Sequence, residues 1–323
     1  MTKKMSDCKE QYEKFIDETP NCWAVDVSKA YEKKEVERDW DWDSSPIAWG
    51  HFEKIYTSKN NKGEVHWSLL REHFNLDDLV VPKARCFSYI DNEKLKKCRQ
   101  FECRPLICSK DCYKPETKEG CVFHLGGDCD FNFNQKKKKL FEKFLQDDEI
   151  GKALLELCLE RHHSLANFSI IPTTGGLQCV KGSKECGCEG LDRFDRFLTI
   201  LNKYYLDKGK DAILGIEVIG RKLEEIPICI PNGGVKVENL NCRTCNIPCL
   251  EAFLDSFDGI YDYCEKIYFI SNKGLVNYLV KSGAEPIKNK EDVIAYMHLA
   301  LHYWQVRETK FQQLHNPPPT PAK

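Results

Sequence analysis

Eighteen cysteines and nine histidines are this chain's main store of side chains that can bind metal or react. Most of the cysteines fall into three groups. Cys98, Cys103, Cys108, Cys112, Cys121 and Cys129 form the first; Cys179, Cys186 and Cys188 the second; Cys242, Cys245 and Cys249 the third. Thiolates are soft ligands for zinc, and two cysteines separated by two residues form the knuckle of a structural zinc site. Cys242-Arg-Thr-Cys245 is such a knuckle. It follows residues 228–237, whose Asn232-Gly233-Gly234 centre reads as a β-hairpin turn. With Cys249 the third group is one ligand short, so it is expected to share a tetrahedral ion with a cysteine of the 179–188 loop. Cys186-Gly-Cys188 is tighter than a knuckle, though both sulfurs can reach one ion across the glycine. The first group has no tight knuckle, and His124 offers it a mixed ligand. Buried thiols are the structural alternative to metal. Disulfide or redox chemistry is a third reading, but no βαβ pattern surrounds the knuckle.

A second set of candidates is charged. Residues 168–205 read FSIIPTTGGLQCVKGSKECGCEGLDRFDRFLTILNKYY. An apolar run at 168–171 is stopped by Pro172, and Thr173-Thr174-Gly175-Gly176 supplies a turn. A helix is expected after the cysteine loop, because Leu191, Phe194, Leu198, Leu201 and Tyr205 recur at steps of three and four. Asp192, Asp195, Arg196 and Thr199 share its other side. Asp192 and Arg196 can pair four residues apart, and both aspartates suit the positive end of the helix dipole. That account is purely structural. The functional account sets Asp192, Asp195 and Arg196 in a cleft beside the Gly175-Gly176 turn, whose amides could face an anion. Arg161, His162 and His163 end the preceding helical stretch. Cations suit a helix C-terminus; the functional alternative gives His162 or His163 an acid or base role near the turn.

The pattern GGLQ followed by LDRFDRFLTILNKYY resembles the central segment of a bacterial and phage family known only as a domain of unknown function. That family pairs a TIGG-type turn with a DRFDLTLECIRRHY-type helix. FLDSFDGIYDYCEKIYFISNKGLVNYL is similar to its FxGYVDFFLLQDLV segment, and HFNLDDLVVP to its FxLSSDxIxP segment, in the same order along the chain. The resemblance implies no activity, since the family carries none. The cysteine-rich stretches depart from its pattern and read as an elaboration of this member.

Composition bounds the class. With 41% hydrophobic and 30% charged residues the chain reads as soluble and globular, in one large domain or two small ones. The net charge of −2 exerts no overall pull on nucleic acid or acidic membranes. Four lysines at 136–139 either start a solvated helix or touch phosphates. No run of eighteen apolar residues occurs, so no membrane span is expected. The opening MTKKMSDCKEQYEKF lacks the apolar core of a secretory signal, so a cytoplasmic location is expected. Helices are expected at 46–56, at 140–163 with a break at 147–148, and at 250–279 with a break at 271–274. A final helix is capped by Asn289 with Asp292 three residues on. It turns Ile294, Met297, Leu301 and Trp304 to the core. Beside them lie His298 and His302, spaced like metal ligands but without the glutamate of a metalloprotease helix. Asp39, Asp41 and Asp43 alternate with tryptophans, as a solvated face or a set of oxygen ligands. Cys158 and Cys264 read as small core residues.

The expected fold is α+β, mainly α-helical, with small β-hairpins and a cysteine-rich insertion. Residues 1–45 read as a polar arm, 46–315 as the main domain with the insertion at 98–135, and 316–323 as a disordered tail. The expected function is binding or interaction, with a protein or nucleic-acid partner, in a scaffold stapled by zinc at the clustered cysteines. The alternative is a hydrolase or nuclease acting on a phosphate-containing substrate through Asp192, Asp195, Arg196 and His163. Residues 98–129 hold prolines and little helical periodicity, so they have no core of their own. Chelation of the reduced protein is expected to make them the first stretch cut by a protease. Unchanged protection there counts against the staple.

Overall fold

The computed structural model describes residues 5–31, 42–57, 74–80, 106–109, 122–172, 193–206, 254 and 257–315. In chain order its elements are α1 (Met5–Glu18), α2 (Pro46–Thr57), β1 (Phe74–Val80), β2 (Leu106–Ser109), β3 (Val122–Cys129), α3 (Gln135–Phe144), α4 (Glu149–Arg161), β4 (Phe168–Pro172), α5 (Phe194–Leu206), α6 (Ile260–Ile267), α7 (Lys273–Ser282) and α8 (Lys290–His315). The fold is α+β and mainly helical. The strands form one antiparallel sheet in the order β1-β2-β3-β4. β3 pairs with β4 from Leu125 opposite Pro172 to Cys129 opposite Phe168. Two of these strands, β2 and β3, come from the region read as an insertion.

The helix boundaries have local causes. Asp148 accepts a hydrogen bond from the Gly151 amide at 2.8 Å, which caps α4 at the break expected at 147–148. Asn272 caps α7 through the Leu275 amide at 3.2 Å. Asn289 accepts from the Asp292 amide at 2.9 Å while the Asp292 carboxylate accepts from the Lys288 amide at 2.8 Å. That reciprocal cap satisfies amides a helix start leaves open.

α8 is the axis of the core. Val293, Tyr296, Met297, Ala300, Tyr303, Trp304, Arg307 and Phe311 are buried along one side. His298, His302, Gln305 and Thr309 face solvent. Around the buried side stand Phe131, Phe133, Phe141 and Phe194, with ring centroids 5.0–6.3 Å from Tyr296, Tyr303 or Trp304. Such aromatic pairs each add about 0.5–1.5 kcal/mol beyond area burial. The N-terminal region contributes more than an arm. Cys8, Tyr12 and Phe15 of α1 are buried against α2, because their spacing of four and three makes one apolar stripe. Cys158 and Cys264 are fully buried core residues, and burial pushes the Cys158 thiol up to about 12. The lysine run is partly internal. Lys137 is buried, donates to the Tyr296 hydroxyl at 3.2 Å and lies over its ring, and Lys138 pairs with Glu156 at 3.0 Å.

A buried polar network ties α8 to the sheet. Asp130 follows β3 directly, and its carboxylate accepts from Arg307, from the Ser169 hydroxyl and from the Tyr303 hydroxyl at 2.5 Å. Arg307 also donates to the Ala166 carbonyl at 2.9 Å and the Phe168 carbonyl at 2.6 Å. Burial opposes the guanidinium charge, but the Tyr303 and Asp130 oxygens outweigh it and hold its pKa above the usual arginine value. Asn167 completes the junction. Its amide donates to the Phe131 carbonyl at 2.9 Å and the His162 carbonyl at 2.6 Å. Its oxygen accepts from the Phe131 amide at 2.8 Å and the Trp304 indole at 2.7 Å. Two donors and two acceptor sites are all an asparagine side chain has, so Asn167 is saturated. Replacing Arg307 with Met strands a buried carboxylate and is expected to lower unfolding free energy by about 3–5 kcal/mol. The double variant with Asp130→Asn should recover part of that loss in the same denaturant titration.

Candidate metal centre

The network places three candidate ligands side by side. Cys129 is the last residue of β3, one step before Asp130, and is 5% exposed. His162 and His163 form the turn that leaves α4. Successive residues inside a helix point about 100° apart and do not face each other. Here the chain leaves the helix at His162, and the two imidazoles stack at a centroid distance of 4.1 Å and an angle of 24°. The ligand atoms of Cys129, His162 and His163 all lie within 4.8 Å of one another. Bonds of about 2.0–2.3 Å in a tetrahedron put ligand atoms roughly 3.3–3.8 Å apart, so the group closes on an ion with shifts of about 1 Å. Among the described residues this is the one cluster of three such side chains with that geometry.

The backbone around the histidines is held from two sides. The Val27 amide donates to the His163 carbonyl at 3.1 Å, and Asp26 forms an isolated antiparallel bridge with Ser164. Asn167 holds the His162 carbonyl at 2.6 Å. Asp26 also reaches the His163 ring, Oδ2 to Nδ1 at 3.7 Å. Burial works to raise the Asp26 carboxyl, but hydrogen bonds from His163 and Ser28 outweigh it and hold it below the usual carboxylate range. A carboxylate on one ring nitrogen orients the imidazole and leaves Nε2 for a metal, as outer partners of zinc-bound histidines do. Cysteine and histidine together suit zinc or a similar borderline divalent ion.

The charged candidates occupy a different place. Asp195 is fully buried and faces α7. Arg193 grips its carboxylate with Nε at 3.0 Å and Nη2 at 2.5 Å, and the Ser282 hydroxyl donates to it at 3.0 Å. Arg193 reaches on to the carbonyls of Glu285 at 2.6 Å and Ser282 at 3.2 Å. Arg196 donates to the carbonyls of Gly283 at 2.9 Å and Ala284 at 3.2 Å, and the Thr199 hydroxyl to that of Val280 at 2.7 Å. These carbonyls belong to the last turn of α7 and to the three residues that follow it, where helical hydrogen bonding ends. The polar face of α5 is therefore a C-terminal cap for α7. Gly283 allows the approach, since a Cβ there would run into the Asp195 backbone and the Thr199 hydroxyl. The arginine that pairs with Asp195 is its neighbour Arg193, which helical spacing alone does not select.

The structure thus joins Cys129 with His162 and His163, which come from two different candidate sets. It does not join His163 with Asp195 or Arg196. Asp26 was missed by sequence reasoning, and its only local signal is an Asp-x-Ser turn whose 2.8 Å bond caps the 3-10 turn Val27–Ala30. His298 and His302 are exposed and do not join the cluster. Cys108 lies on β2, with only its backbone described. Asp39, Asp41, Cys98, Cys103, Cys112, Cys121, Gly175, Gly176, Cys179, Cys186, Cys188, Asp192, Cys242, Cys245, Cys249, the hairpin at 228–237 and the tail at 316–323 lie outside the described residues.

Comparison with protein-family models, curated proteins and solved structures gives no match. The site is therefore interpreted on its own chemistry. For the α5–α7 junction, Asp195→Asn leaves the Arg193 charge buried without its counter-ion, and a loss of about 3–5 kcal/mol is expected. A loss below about 1 kcal/mol, the size of an exposed helix-dipole effect, would show that the junction does not hold the fold.

Proposed function

We propose that this protein is a metal-stapled binding or interaction protein, with a zinc-class ion held by Cys129, His162 and His163. The observation that carries the reading is the convergence of three ligand atoms, within 4.8 Å, from two segments more than thirty residues apart. An ion there ties the end of β3 to the turn after α4 and so joins the sheet to the helical layer. Asp26 serves as the outer partner of His163. The sequence expectation of further thiolate ligands concerns cysteines outside the described residues. The hydrolase reading needs Asp195 and Arg196 at an open cleft, and their partners instead belong to a helix junction.

Cobalt(II) tests the assignment, because a thiolate-bound cobalt ion gives a sulfur-to-metal charge-transfer band. The reduced full-length protein is expected to show that band, and Cys129→Ser to lower it in proportion to the lost sulfur. Zinc should displace the cobalt and raise the thermal midpoint. At a free concentration one hundred times Kd it adds about 2.7 kcal/mol to stability. A band of equal intensity in Cys129→Ser and in His163→Ala removes the site from the reading.

A further inference from the structure

His51 is the buried titratable group that the metal reading leaves without a task. It lies in α2 and is fully buried. Among the described residues neither ring nitrogen has a hydrogen-bond partner. More than nine in ten buried polar groups do have one, so this imidazole is an exception that needs an explanation. Its surroundings are aromatic. Phe311 meets it edge-on at 4.7 Å, Tyr12 lies at 5.6 Å, Trp23 at 5.9 Å and Phe52 at 6.1 Å. His315 packs on the same Tyr12 and Trp23 rings at 6.4 and 5.9 Å. The Tyr12 hydroxyl and His315 Nδ1 are likewise buried without partners. The imidazole thus sits where α1, α2, the segment around Trp23 and the last turns of α8 meet.

We propose that His51 is a proton-operated latch that keeps the C-terminal turns of α8 docked on α1 and α2 while its ring is neutral. The charges that act on the ring from its neighbours are cationic: Arg307 and His315, both on α8. Tyr12 and Cys22 add neutral groups, since burial raises both the phenol and the thiol. Lys54 of α2, and Glu13 and Asp17 of α1, act on His315 at the rim. A proton on His51 would therefore create a buried cation beside Arg307 with no acceptor in reach. Such a charge is avoided by opening, which lets the ring meet water. The sign follows. Burial, then Arg307 and His315, hold the folded pKa of His51 well below that of the free side chain. The neutral, closed form is fully stable above the free histidine value of about 6.5 and loses stability as pH falls below it. Each pH unit below that value multiplies the open population about tenfold. The latch does not depend on the metal assignment.

Amide hydrogen exchange on the full 323-residue chain tests it, corrected for the intrinsic pH dependence of exchange, between pH 7.5 and 5. That window stays above the range where Asp26 takes up its proton, because its carboxyl is held low. The wild type is expected to open at 308–315 and along α1 about tenfold more per pH unit below about 6.5, with the rest of the fold unchanged. His51→Phe should abolish the pH dependence, and His315→Gln should keep it. A flat wild-type profile overturns the proposal, as does a dependence that survives in His51→Phe or vanishes in His315→Gln. Should His51→Phe not fold, proton NMR of the nine wild-type histidines decides the matter. One imidazole should stay neutral until the α8 turns open. Nine ordinary titrations near pH 6.5 overturn the latch as firmly.

Discussion

Asp130 and Arg307 are both removed from water, and the rest of the structure has to accommodate that. Desolvating each ion costs several kcal/mol, which the pair offsets only with further hydrogen bonds to most of its remaining donors and acceptors; Arg307 Nε has none among the described residues. The partners found are the Tyr303 and Ser169 hydroxyls and the carbonyls of Ala166 and Phe168. Their positions set the register of α8 against the end of the sheet. Asn167 sits between those two carbonyls, and its saturated amide extends the constraint to Phe131, Trp304 and His162. The metal candidates inherit their placement from this junction. Cys129 is the residue before Asp130, and His162 and His163 lead into the strand that carries Ser169.

Two polar junctions in this molecule look alike in sequence and differ in consequence. At α5 and α7, Arg193 and Arg196 donate to backbone carbonyls at and just past a helix end, and Asp195 holds Arg193 in place by accepting from it. Such a junction stabilises and orients and has no coordination left for a ligand. At the turn after α4, the side chains that converge are a thiol and two half-buried imidazoles. Those are groups a metal takes, and the Asp26 carboxylate stands behind His163. Charge density alone did not separate the two cases; the distinction lies in the chemical type of the side chains that converge.

The aromatic core tolerates polar exceptions because it is thick. Lys137 is buried under its own cation–π contacts and a tyrosine hydroxyl, a favourable setting for a desolvated ammonium. Phe269 takes a left-handed backbone at φ 59°, a strained position for a bulky residue. Its ring is held between Tyr56 and Phe311 at 5.2 and 5.4 Å, contacts that offset the strain. His51 lies in the same aromatic neighbourhood with no compensating bond, which is why its protonation state bears on the docking of α8.

The amino-acid sequence by itself determined the local features of the chain. The apolar spacing of the 194–206 helix and the burial of Met297 and Trp304 could be read directly. So could the cap at Asn289 and the breaks at 147–148 and 271–274. These depend on interactions within a turn or two, where spacing and side-chain chemistry suffice. Tertiary structure alone decided what the polar residues do. Arg193 rather than Arg196 grips Asp195, because the C-terminus of α7 packs against that turn. Cys129 meets His162 and His163, because β3 and β4 pair in antiparallel register through a contact that no short spacing records. Long-range pairing is set by the summed burial and hydrogen bonding of whole elements, and a cluster of ligands assembled that way is visible only once those elements have come together.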